Sequence, residues 1–92
     1  MFTIWKYPIE LKKSEGIEMP YHSDILRVDL ELGKAHIYAV INTSAQFHIY
    51  WFRCFYEGEQ IDRDESLIYI GAIKTKYEGL CQIFKLEGLA QG

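Results

Sequence analysis

Cysteine is too scarce in this chain to staple it. Its 92 residues hold two, Cys54 and Cys81, each inside an apolar run. They form no CxxC, and no set of Cys and His stands at zinc-ligand spacing. A small domain matured under oxidising conditions carries more bridges than that, so both thiols read as reduced core residues. Long hydrophobic runs are missing too. Nothing approaches the ~18 consecutive apolar residues of a membrane-spanning helix. The first ten residues, MFTIWKYPIE, lack the basic-then-apolar plan of a secretion signal. A soluble protein of the cytoplasm, without membrane contact, is the expectation.

Strong charge of one sign is also absent. Ten Lys and Arg against thirteen Asp and Glu leave a net charge of −3. That balance disfavours a general electrostatic grip on DNA or RNA, yet it leaves room for a local basic pocket and falls short of a DNA mimic. The signatures of common chemistries are missing as well: no nucleophile elbow, no phosphate-binding Gly-rich loop, no GxGxxG. His22-Ser23-Asp24 contains the residue types of a catalytic triad, but adjacency in sequence is not triad geometry. Asp62, Asp64 and Glu65 lack the spacing and central glycine of a calcium loop, and His36 with His48 finds no third ligand. The expectation is a non-enzymatic protein with no cofactor and no metal.

Aromatic residues are plentiful, at 15%, with seven Tyr, five Phe and two Trp. Such an excess suits either a small aromatic core or an interface, since Tyr and Trp combine an apolar body with a polar tip. The length fits one domain over residues 1–92, with 88–92 as a frayed tail. Six or seven short strands and little or no helix can be placed. FTIWKYPIEL begins as a strand that Pro8 marks as an edge or an end, and IEMP is a short extended piece. ILRVDLELGKAHIYAVIN is the clearest signal: Leu26, Val28, Leu30 and Leu32 alternate with Arg27, Asp29 and Glu31, and Gly33-Lys34 suits a two-residue hairpin turn. EGEQIDRDES is an acidic loop; LIYIGAIKT and LCQIFKLE are the last strands. The fold class is all-β, a small antiparallel sandwich or barrel.

The run FHIYWFRCFY, residues 47–56, raises the main question. Its apolar residues also match helical spacing, but ring content and neighbouring strands favour β. If Thr43, Ser44 and Ala45 close a hairpin back onto AHIYAVIN, then Phe47, Ile49 and Trp51 extend the apolar face. The opposite face then displays Arg27, His36, Tyr38, His48, Tyr50 and Phe52, a set suited to stacking and hydrogen bonding. That face is open to three readings: an oligomer or partner interface, internal packing, or a ligand platform. Arg53 falls on the apolar side of this register, where a buried guanidinium needs a carboxylate, a phosphate or several carbonyls unless it reaches the rim. It is therefore a candidate anion contact.

The order IWKYPIEL, IEMP, ILRVDLELGKAHIYAVIN, IYIGAIK and FKLE resembles a family of small uncharacterised proteins of bacteriophages and prophages, over about residues 3 to 87. Where many relatives have a glycine- and histidine-containing turn, this chain has YEGEQI, in which only Gly58 and Ile61 match. The resemblance implies a phage-type accessory protein in the cytoplasm of a host bacterium. Such proteins commonly bind, blocking a host defence protein or sequestering a nucleotide signal, often as homo-oligomers. The alternatives are a virion component that uses the aromatic face for self-assembly, and an OB-like nucleic-acid-binding module.

Overall fold

The computed structural model describes residues 1–87; the frayed tail expected at 88–92 lies outside the described residues. Seven strands follow one another: β1 (Phe2–Pro8), β2 (Ser14–Pro20), β3 (Asp24–Glu31), β4 (Lys34–Asn42), β5 (Phe47–Tyr56), β6 (Leu67–Lys74) and β7 (Leu80–Leu86). They form two antiparallel sheets, of order β1-β4-β3 and β2-β5-β7-β6. No helix occurs among the described residues, so none there is long and apolar enough to cross a membrane. The sheets stack as a sandwich. Between them lie Met19, Val28, Ala35, Ile37, Ala39, Phe52, Cys54, Ile73, Cys81 and Ile83, all buried. The central strands β4, β5 and β7 contribute alternate residues to that layer, as the pleat requires.

The β3–β4 hairpin forms as the alternation predicts, with its turn one residue earlier. Glu31 pairs with Lys34, and Leu32 and Gly33 are the central residues. Both have positive φ, 52° and 78°, the mirror-image turn whose twist matches the strands it joins. Relative to a Gly33-Lys34 turn, the pairing moves by two residues. An even shift preserves the faces: Val28 and Leu30 oppose Ile37 and Ala35 on the inner side, while Arg27, Asp29 and Glu31 stay outside. Leu26 is the exception. It is the extra residue of a bulge between Ile25 and Arg27, so Ile25 takes the inner position and Leu26 is 45% exposed.

A second bulge lies between Tyr69 and Gly71 of β6, the strand that runs beside β3 where the sheets meet. Here the approach is too close for a side chain. A Cβ on Gly71 would lie 2.7 Å from Val28 Cγ2, and φ at Gly71 is +150°. Only glycine serves there.

The expected β4–β5 hairpin does not form. β4 has β1 on one edge and β3 on the other, so no edge remains for β5. The chain turns at Asn42, whose carbonyl accepts from Ala45 N–H at 3.1 Å and whose side-chain oxygen accepts from Ser44 N–H at 3.0 Å. It then crosses to the other sheet, where β5 pairs with β2 and β7. This inverts the faces assigned to the aromatic run. Phe52 is fully buried, whereas Phe47 is 64% and Ile49 46% exposed.

Candidate protein-binding face

The six residues grouped by sequence as a displayed platform occupy two separate surfaces. Arg27, His36 and Tyr38 do share the outer face of the three-stranded sheet. The Arg27 guanidinium lies 4.2 Å from the centroid of the Tyr38 ring, and His36 is tilted against that ring at 6.5 Å. The Tyr38 hydroxyl donates to Glu31 Oε2 at 2.8 Å, and Glu31 also accepts from the Lys6 ammonium. These two hydrogen bonds hold the Glu31 carboxyl below its ordinary pKa, Lys6 contributing most. The same bond to Glu31 pushes the Tyr38 phenol up. This part of the face is polar, and its charges are largely satisfied by one another.

His48, Tyr50 and Phe52 point inward from β5. Phe52 is core. The Tyr50 hydroxyl donates to Pro20 O at 3.0 Å and accepts from Ser23 N–H at 3.1 Å, which ties β5 to the β2–β3 connection. His48 stacks on Tyr21 at 4.7 Å. In the same connection Ser23 is buried and its hydroxyl donates to Pro20 O at 2.6 Å, so the His22-Ser23-Asp24 hydroxyl is occupied in holding a loop. Among the described residues no three of His, Cys, Asp or Glu are grouped to hold a metal ion.

Arg53 points out of the four-stranded sheet and is nevertheless 7% exposed. Its partner is a carboxylate of the chain itself. Nε donates to Glu65 Oε1 at 3.1 Å and Nη2 to Oε2 at 2.6 Å, while Nη1 donates to Ser14 Oγ at 3.0 Å. This bidentate pair latches the acidic loop, residues 57–66, over half of the sheet. Beneath the loop Phe55 is buried, edge-on to Phe84 at 5.9 Å. With its donors committed, Arg53 is a structural cation and not a vacant anion contact. At the start of the loop Gly58 adopts φ +90°, and Tyr56 N–H donates to Glu59 Oε1 at 2.7 Å, closing the YEG turn.

The other half of that outer face is uncovered. Phe47, Ile49 and Trp51 follow one another along β5, and Tyr69 meets Phe84 across β6 and β7 with ring centroids 5.4 Å apart. Tyr69 is 54% exposed. On the edge strand, Gly16 lies opposite Trp51. A Cβ there would sit 3.0 Å from Ile49 Cγ2 and 3.1 Å from Trp51 Cη2. The missing side chain lets Ile49 and the indole lie down across β2, giving a flat apolar surface. Glu18, opposite Ile49, supplies charge at its margin.

The whole described chain, residues 1–87, matches one family model, the domain of unknown function DUF7352. The chain belongs to the DUF7352 family. No curated protein and no solved structure matches it. In this DUF7352 chain the exposed rings are therefore read from geometry alone. Sequence reasoning missed Phe47, Ile49, Trp51, Tyr69 and Phe84, although one signal was present. Arg53 shares its strand parity with Phe47, Ile49 and Trp51, and a guanidinium belongs to the outer side of a sheet more readily than to its core.

Proposed function

We propose that this DUF7352 protein is a non-enzymatic binding protein that occupies a protein partner with the uncovered half of its four-stranded sheet. One observation carries the reading: Phe47, Ile49 and Tyr69 are 64%, 46% and 54% exposed, all on the outer side of the four-stranded sheet. Exposed apolar surface gathered on one side of a small domain marks an interaction site. Its shape favours a macromolecule, because small-molecule sites are concave and enclose their ligand, while this face is flat. Aromatic anchors at the centre with charge at the margin is the composition of a binding hot spot. In the phage accessory role that the sequence resemblance implies, the partner is a host protein of the bacterial cytoplasm, and the effect is counter-defence by occupation.

A photo-crosslinking residue placed at Phe47 in a bacterial cell tests this. The expected result is one defined protein adduct, lost when Ile49→Glu is added and absent when the probe stands at Tyr77, which is 85% exposed but off this face. Equal labelling from both positions, or none, overturns it.

A second reading, sequestration of a nucleotide-type ligand, is favoured by a cleft of about 680 Å³ at the end of the sandwich. Lys34, Lys74 and Lys76 stand around its apolar floor of Ile9, Ala35 and Ile73. No ring lines this cleft for a base to stack on, which ranks it second. A nucleotide mass retained in native mass spectrometry, and lost in Lys74→Glu/Lys76→Glu, would reverse the order.

A further inference from the structure

The two sheets leave their edges in different states. β3 and β6 protect one another where the sheets meet. β2 carries the usual defences of an exposed edge: Gly16 weakens it, Glu18 charges it, and Pro20 has no N–H to offer. β1 has few of them. Phe2 and Ile4 on its outer side are 69% and 59% exposed, and Trp5 on its inner side is 58% exposed. A strand apolar on both faces at an open edge is a template for pairing.

The ladder shows which main-chain groups are free. Ile9 N–H donates to Ala35 O and Thr43 N–H donates to Met1 O, within a register that pairs Trp5 with Ala39 and Tyr7 with Ile37. In an antiparallel pair, residues alternate between those that exchange both hydrogen bonds with the partner and those that face away. The odd-numbered residues of β1 therefore bond to β4, and Phe2, Ile4 and Lys6 turn N–H and C=O outward. Pro8 turns out a carbonyl only.

We infer that β1 pairs with β1 of a second copy, antiparallel about a twofold axis at Ile4, joining two three-stranded sheets into one of six strands. A free row of alternating donors and acceptors specifies a strand as its occupant, and a twofold contact lets one patch complement itself. Centred on Ile4, Phe2 pairs with the Lys6 of the other copy and Ile4 with Ile4, each pair exchanging two hydrogen bonds. This register leaves Pro8 beyond the end of the ladder and keeps the two Lys6 ammonium groups from facing each other. On the inner side, Trp5 of each copy lies beside Thr3 of the other, and the apolar side chains of β1 gain a cross-strand neighbour on each face. The contact lies on the sheet opposite the proposed protein-binding face, so neither inference depends on the other.

The test uses a property of this register. Ile4 N–H makes no bond to β4, so Ile4→Pro removes an outward donor while sparing the fold, as prolines in edge strands do when their nitrogen faces solvent. By native mass spectrometry and light scattering at tens of micromolar, the full chain is expected at twice its 10.8 kDa. Ile4→Pro is expected at the single mass, with the far-ultraviolet circular dichroism of the parent. Ile4→Lys provides the same readout without backbone change. A monomeric parent, or a dimer that persists in both variants, overturns the inference.

Discussion

Removing the Glu65 carboxylate should unlatch the acidic loop and lower stability by an amount that the geometry bounds. Glu65→Ala strands the Arg53 guanidinium, which is 7% exposed, without its bidentate acceptor. Breaking a buried pair from one side costs ~3–5 kcal/mol, because the remaining charge is neither hydrated nor paired. The Glu65 side chain is 27% exposed, so water can enter from that side, and Ser14 Oγ at 3.0 Å remains a partner. Both facts place the expected loss lower, at about 2–3 kcal/mol. For a domain of this size, that lowers the thermal midpoint by roughly 10–20 °C. Thermal unfolding followed by tryptophan fluorescence reads the shift, and hydrogen exchange should show lost protection across residues 57–66. The double variant Arg53→Met/Glu65→Leu removes both charges and should recover most of the loss, since apolar replacement of a buried ion pair is often neutral or better. A loss under about 0.5 kcal/mol in Glu65→Ala, or a double variant no more stable than the single one, would refute the latch.

The inverted faces of β5 predict opposite outcomes for two phenylalanines: Phe52→Ala should cost about 3–5 kcal/mol in urea unfolding, and Phe47→Ala should stay within about 0.5 kcal/mol. Gly71→Ala should cost about 2–4 kcal/mol, from the unfavourable φ together with the clash on Val28. Adding Val28→Ala should relieve the clash alone, so a double-mutant cycle that shows no coupling would contradict the close approach. Burial, with the neighbouring Cys81 thiol adding to it, pushes the Cys54 thiol well above its ordinary pKa. Burial raises that of Cys81 as well, and the Tyr56 phenol is pushed up to about 12. A raised acid pKa in the fold means that the native state keeps protons which the unfolded chain releases. Stability should then be intact below the ordinary thiol range and decline as pH rises above about 8.5. Unfolding midpoints across pH 7 to 10 read that slope, which Cys54→Ala should flatten, and thiol reagents should label the native protein only as fast as it opens.

Much of this protein was determined by its sequence locally. Strict alternation from Leu26 to Leu32 made β3 a strand with one wet face, and the apolar return to Ile41 made β4 its partner. The hairpin kept its faces when the turn moved from Gly33-Lys34 to Leu32-Gly33, because strand parity survives any even shift. The all-β class and a count of six or seven strands were legible for the same reason. Only the tertiary structure decided which sheet received β5. Its two faces, Phe47-Ile49-Trp51 and His48-Tyr50-Phe52, are both apolar enough for a core, so hydrophobic pattern did not orient it, and the parity of Arg53 was the one local signal that favoured the observed side. What settled the matter was competition for an edge: β1, whose residues precede their β4 partners by 28 to 40 positions, fills the side of β4 that a hairpin would have used. Once β5 crossed to the other sheet, Phe52 turned inward and Phe47 outward. Arg53 then met Glu65 from a loop whose position no local pattern contains. Side-chain alternation is a property of one strand and its immediate partner, whereas the choice of partner belongs to the whole chain packing at once.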